Sequence, residues 1–338
     1  MAIHSAASLN ALAQRIVIAL GTPGDLAAIV AHSLVEANLL GHDSHGMIRL
    51  PQYATMVRNN TVKPAVRANV THQRGAMACV DGAWGWGQPA ALLATDTAIA
   101  LARDFGVGAV TLAHGNHVGR LGEYVERIAR AGLVGLSVCN AGSNVAPYGG
   151  RTRLLGTNPI AFAAPRAAGQ DPFLVDLATA SVAEGKLRVS RDKGESVAPG
   201  LLLDKAGQPS TEPKAFYDGG ALLPFGGHKG YGLSVMIELL GGALSGIAPS
   251  SSKEFVGGNG ALFIALNTAD FVAAEQFERQ AEALYHTLVG APTAPGFSVV
   301  QAPGDPEWRM RRERSERGLD VAEGIWSQLE TLMLQLGL

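Results

Sequence analysis

From residue 76 onward the chain alternates between short apolar runs and longer stretches of helical periodicity, and this alternation restricts the architecture more than any other feature. Apolar runs of about four to eight residues bounded by glycine or polar residues read as strands, whereas apolar side chains three and four apart read as helix. AMACV (76–80), VGAVTLA (107–113) and VGLSVCN (134–140) are the first three strands. An Ala-rich helix from Pro89 to Phe105 and a helix near Gly119 to Ala131 separate them. FLVDLA (173–178) and GALFIALN (260–267) add two strands, and helices are expected near 230–244, 274–289 and 319–336. The fold class is therefore α/β with a mixed arrangement of elements.

Residues 1–75 follow another rule. Leu9, Leu12, Ile16, Val17 and Leu20 share one helical face that Gly21 ends, and Thr22-Pro23 opens a second helix running to Gly41. A turn through residues 41–50 follows, and Pro51 opens a helix to Val57, because a residue before proline is steered away from helical geometry. We expect a helical, substrate-contacting region made of 1–75 with 290–338 and an α/β cofactor-binding region over 76–289, forming one catalytic unit. No internal repeat or low-complexity tail is visible.

Bulk chemistry excludes several classes. The 338 residues are 47% hydrophobic and 17% charged, enough for one large core or a few smaller ones. A formal net charge of −2 supplies no excess cation for nucleic-acid phosphates. Cys79 and Cys139 stand far apart without further thiols, which argues against a disulfide framework or a zinc site and favours a reducing cytoplasm. The N-terminus reads as a first helix rather than a leader, and the apolar stretch from Gly230 to Ser252 carries Glu238 and Pro249, as a buried helix would and a membrane span would not.

Chemistry concentrates in GHDSHGMIRLPQY, residues 41–53. His42 and His45 titrate near neutral pH in the unperturbed state, Ser44 offers a hydroxyl, and Arg49 presents a fork that fits a carboxylate. GNHVGRLGEY (115–124) lies between a strand and a helix, where glycines let backbone amides approach an anion; an ordinary turn capped by His117 accounts for it equally. Asp176, at the end of a strand, suits either ribose hydroxyls or a helix cap. GGHKGYGLS (226–234) sets His228 and Lys229 among glycines before an apolar helix, a pattern that presents a cation and amide donors to a phosphate. Thr157-Asn158-Pro159 reads simply as a turn. The G-x-G-x-x-G dinucleotide fingerprint, the G-x-x-x-x-G-K-[ST] loop, the H-E-x-x-H helix and the G-x-S-x-G elbow are all absent. His42/His45 and His114/His117 have metal-ligand spacing, but neither pair has a clear third ligand nearby in sequence, so no metal is expected.

Taken in order, GHDSHGMIRLPQY, NHVG, LLGTNPIAFAAP and GGHKGYGLS resemble the malate/L-lactate dehydrogenase family (type 2), which also holds ureidoglycolate, sulfolactate and diketogulonate oxidoreductases and cyclic-imine-2-carboxylate reductases. The resemblance covers nearly the whole chain. It implies a non-Rossmann NAD(P)-binding fold with a mixed or largely antiparallel sheet, a homodimer, and hydride exchange with a small 2-oxo, 2-hydroxy or 2-imino acid. It further implies that His45 and Ser44 form the catalytic pair, with His117 a rival acid/base, and that Arg49, Thr157 and Tyr53 meet substrate. His117, Val118, Gly119, Arg120, Leu121, Asp176, Leu177, Ala178, His228, Lys229 and Gly304 would line the cofactor, NAD or NADP with NAD favoured. Lys193, Arg188 and Arg191 suit a 2′-phosphate or a solvated face. Imine-reducing members carry an aspartate after the glycine of the segment equivalent to AEGK; here Lys186 stands there, which favours hydroxy acids. Joint presence of His45, Arg49 and Lys229 argues against a non-catalytic acid binder.

Overall fold

A computed structural model describes residues 3–338. The N-terminal region runs β1 (Ile3–His4), α1 (Ala6–Ala19), α2 (Gly24–Leu39), two short 3₁₀ turns at Asp43–His45 and Met47–Arg49, and α3 (Leu50–Arg58). The α/β region follows with β2 (Asn69–Arg74), β3 (Met77–Asp81), α4 (Gly87–Phe105), β4 (Val107–Gly115), α5 (Gly122–Arg130), β5 (Val134–Cys139), β6 (Ile160–Ala164) and β7 (Phe173–Leu177). After it come α6 (Glu184–Lys193), β8 (Leu202–Leu203), β9 (Pro209–Ser210), α7 (Pro213–Tyr217), β10 (Ala221–Leu222), α8 (His228–Ile237), β11 (Asn259–Leu266), α9 (Ala274–Val289), α10 (Asp305–Arg317), β12 (Leu319–Asp320) and α11 (Glu323–Leu336).

The central sheet has seven strands in the order β2-β3-β4-β11-β5-β6-β7. Within it β3–β4 is the parallel pair, and the other neighbours run antiparallel. The sheet is therefore mixed and mostly antiparallel. β11 inserts between β4 and β5 from far along the chain, pairing Phe263 with Val110 on one side and Ser137 on the other. A helix lies against this centre because the contact surfaces are small: Ala91, Ala94, Ala98 and Ala102 of α4 are buried against it, and a Cβ on Gly108 would come within 2.1 Å of the Ala98 carbonyl oxygen. Tyr124, Val125 and Ile128 of α5 join the same core.

A second core holds Leu9, Ile16, Val30 and Leu34 of the first two helices with Tyr53 and with Leu329 and Leu332 of α11. The chain ends also meet directly, Ile3 pairing with Asp320 and His4 with Leu319.

Several sequence expectations need correction. Leu50 is already helical, since Pro51 falls in the first turn of α3, where a missing N–H costs nothing. The helix expected over 230–244 stops at Ile237 and continues as a π turn, Glu238–Gly242, and a 3₁₀ turn. The expected C-terminal helix begins at Glu323 rather than 319. β2, β6, α6 and α10 were not anticipated, β6 starting directly after Thr157-Asn158-Pro159. Among the described residues no helix is long and apolar enough to cross a membrane.

Candidate active site

The loop 41–49 is pinned before it reaches the chemistry. Asn38, near the end of α2, donates to Asp43 at 2.6 Å and accepts from the Met47 amide at 2.9 Å. Arg314 of α10 grips both Asp43 carboxylate oxygens, and His42 turns towards Glu307, 3.7 Å away. His42 thereby leaves the site and serves as an anchor.

The opposite side of the loop carries Ser44, His45 and Arg49, all half-buried. Ser44 Oγ lies 3.0 Å from His45 Nδ1. The His45 ring stacks on His117, brought in after β4, with centroids 5.4 Å apart and planes inclined by 17°. Tyr53 of α3 sets its hydroxyl 2.8 Å from His117 Nδ1, and Gln88 Nε2 donates to that hydroxyl at 2.7 Å. With Gln88 donating, the single Tyr53 proton goes to His117 Nδ1, which leaves the imidazole proton on Nε2. Arg49 donates from Nε to the Ser44 carbonyl at 2.6 Å and from one terminal nitrogen to Gln52 at 2.8 Å. The rest of its fork stays available to a carboxylate.

Burial is the largest influence on every titration here. It holds the His45 pKa down to about 3, with the charge of Arg49 next in importance, then His42 and Arg120. His117 is likewise held well below its ordinary value by burial, then by Arg49 and His45. The Tyr53 phenol is pushed up to about 12 and stays protonated. Both imidazoles are therefore neutral at pH 7.

The remaining residues named from sequence divide into groups. Val118, Arg120 and Leu121 point into the interior, Arg120 pairing with Glu126 at 3.2 Å, so this stretch offers a ligand backbone rather than side chains. Asp176 accepts from the Gly122 amide at 2.7 Å; it caps α5, which precedes it, and fills with its own carboxylate the place an anion would take there. Leu177 is exposed beside it. Gly304 sits at φ +100° before α10, where a Cβ would come 2.7 Å from Trp308 Nε1 and 3.1 Å from the Leu174 amide.

Thr157, Ala178 and the loop before α8 belong to one backbone knot: the Thr179 amide donates to the Thr157 carbonyl at 2.9 Å and the Phe225 amide to the Thr179 carbonyl at 3.0 Å. The chain then leads from Thr179 into α6, where a Cβ on Gly185 would meet Ser44 Cβ at 3.0 Å. The knot is thus tied to the loop 41–49. α8 starts without a side-chain cap, after Gly226 and Gly227 at φ +56° and +63°, and begins with His228 and Lys229. The amides of Lys229, Gly230 and Tyr231 already donate to the Gly226, Phe225 and Gly227 carbonyls, so the cation and the imidazole at this helix start are the groups that suit a cofactor phosphate. Among the described residues no three His, Cys, Asp or Glu side chains converge as metal ligands, and His114 turns to Asp81 at 3.0 Å.

Sequence reading missed Gln88, Asn158 and Glu238. Glu238, buried on the π turn, accepts from Asn158 Nδ2 at 2.9 Å, the Gly156 amide at 3.2 Å and the Ser250 amide at 2.9 Å. It holds the Gly156 backbone and the Asn158 side chain on either side of Thr157. A carboxylate inside an apolar run was the available signal, since burial of a charge demands partners.

Residues 4–330 match the family model for malate/L-lactate dehydrogenase. The chain belongs to the malate/L-lactate dehydrogenase family. It is 39% identical to an L-lactate dehydrogenase of Cupriavidus necator over 98% of this chain and 97% of the other. It is 35% identical to a Delta(1)-pyrroline-2-carboxylate/Delta(1)-piperideine-2-carboxylate reductase of Pseudomonas putida, over 96% and 95%. The solved sulfolactate dehydrogenase of Methanocaldococcus jannaschii superposes with a TM-score of 0.90 at 33% identity, covering 100% of this chain and 98% of that one. The chain is accordingly an oxidoreductase, of a family that works with nicotinamide cofactors.

Proposed function

We propose that this chain catalyses reversible hydride exchange between a nicotinamide cofactor and C2 of a small 2-oxo/2-hydroxy acid. The observation that carries the proposal is the half-buried stack of His45 on His117, with Ser44 and Tyr53 on their ring nitrogens and a partly unengaged Arg49 guanidinium beside them. The cofactor, when bound, supplies or takes the hydride. Arg49 orients the substrate by its carboxylate and so presents one face of C2. His45 moves the proton at the C2 oxygen, Ser44 holds its ring, and Tyr53 with Gln88 keeps His117 in the Nε2–H form as a second donor. Substrate binding assists the proton step: a carboxylate on Arg49 offsets the positive charge that helps to depress the His45 pKa, so the imidazole becomes more basic once the acid is in place.

His228 and Lys229 would hold cofactor phosphate, Gly119 and the 176–178 segment would line the rest of the cofactor, and Thr157 would meet the substrate. NAD is preferred in this reading, because Arg191, named as a partner for a 2′-phosphate, lies over the Tyr217 ring at 4.3 Å. Lys186, exposed on the first turn of α6, supports hydroxy acids over cyclic imines, since it sets a cation where an imidazolium would need a carboxylate. The division into 1–75 with 290–338 and 76–289 follows the two main cores, although β2 and the buried Trp308 of α10 tie the two parts together. A homodimer accords with Val235, Met236, Leu239 and Leu244, apolar and exposed on consecutive turns. Two free cysteines, Cys139 buried with its thiol pushed up by burial, accord with a reducing cytoplasm.

The test is a panel of 2-oxo acids and cyclic imines assayed with NADH and NADPH, repeated with His45→Ala. Turnover of 2-oxo acids is expected, with kcat falling about 10²–10⁴-fold in the variant while cofactor binding is unchanged. Turnover confined to cyclic imines, or a variant of near-normal kcat, refutes the assignment.

A further inference from the structure

One guanidinium beside the site has no task in the scheme above. Arg188 lies on α6, three residues after Gly185, which packs on Ser44, so the two share a side of the helix. Arg188 Nε is buried and, among the described residues, has no hydrogen-bond partner. Gly185 brings this side of α6 against the loop that carries Arg49, and the Arg188 charge disfavours the protonated guanidinium of Arg49. Among the described residues the relief is partial: Glu184 favours the charged Arg49, but its carboxylate already accepts from the Tyr217 hydroxyl at 2.8 Å, and Arg191 covers the Tyr217 ring.

A buried donor without an acceptor, held next to a second cation at a substrate site, is a place for an anion. Its position decides which anion. The uncapped start of α8, with His228 and Lys229, has the phosphate chemistry, whereas Arg188 stands by Ser44 and Arg49, where the substrate's own carbons must lie.

We propose that Arg188 is a specificity-determining residue that binds a second acidic group, carboxylate or sulfonate, carried on C3 of the 2-oxo acid. The preferred substrate class is then a short dianionic 2-oxo acid, with its 1-carboxylate on Arg49 and its terminal anion on Arg188. This rests on the hydride-transfer reading given above.

Steady-state kinetics with oxaloacetate and 3-sulfopyruvate against pyruvate and 2-oxobutyrate, on wild type and Arg188→Gln, test it. Wild type is expected to prefer at least one dianion by about tenfold or more in kcat/KM. Arg188→Gln is expected to lose about 10- to 100-fold on that dianion, chiefly through KM, while pyruvate and the KM for NADH hold steady. The dianion that responds identifies the terminal group. Equal wild-type activity on mono- and dianions, an unchanged variant, or equal losses on both substrate types overturns the proposal while the hydride-transfer reading stands. Absence of turnover with every 2-oxo acid removes that reading and this one together.

Discussion

His45 and His117 are neutral imidazoles in an environment that penalises their charged forms, and this has a consequence for stability as well as catalysis. The His45 pKa is about 3 in the folded chain against 6.5 for the ordinary side chain. Between those values the unfolded chain binds more protons, so this site's contribution is fully present above about pH 6.5 and is lost as pH falls towards 3. The slope is at most about 1.4 kcal/mol per pH unit, and less because an edge of the ring meets solvent. Urea midpoints at pH 7 and pH 4.5 should therefore differ more for wild type than for His45→Asn. Parallel shifts in the two proteins would show that His45 titrates normally. From sequence, the grouping of Ser44, His45 and Arg49 was legible because they cluster within six residues. The contact between His45 and His117 was not, for it joins the loop 41–49 to the segment after β4, which lie 72 positions apart and meet only in the folded chain.

Among the elements, the loop 41–49 owes its shape to one close approach. A Cβ on Gly46 would stand 2.1 Å from Asn38 Oδ1, and Asn38 cannot yield without releasing the Met47 amide and Asp43. Gly46→Ala should cost about 1–3 kcal/mol of stability and lower kcat, because Ser44 and His45 lie on the same turn. Thermal melts and kinetics on the one variant check both, and a neutral result would mean that Asn38 does not fix the loop. The first two helices and five of the seven central strands followed from apolar periodicity. α10 escaped, since its sequence is dominated by arginine and glutamate and its single deep anchor is Trp308. The π turn at Glu238 escaped as well, because a break that lets a carboxylate face five donors leaves no mark on the hydrophobic pattern.

At the scale of the molecule, the two chain ends close one core over the back of the catalytic loop. Leu329 is fully buried there among α1, α2 and α3 residues. Leu329→Ala should cost about 2–5 kcal/mol. Because the same core seats Tyr53, the variant should also lose activity at temperatures below its global melt. Activity that persists up to the melting temperature would separate the C-terminal helix from the site. The sequence by itself determined the α/β class, the family resemblance and the polar segments that hold the chemistry, since periodicity, turn residues and local clusters are properties of neighbours along the chain. Tertiary structure alone decided the sheet order, with β11 inserted between β4 and β5, the cap that Asp176 gives to α5, and the packing of α6 at Gly185 on Ser44. Each of those joins residues far apart in sequence, where burial and pairing across space, rather than local preference, select the partner.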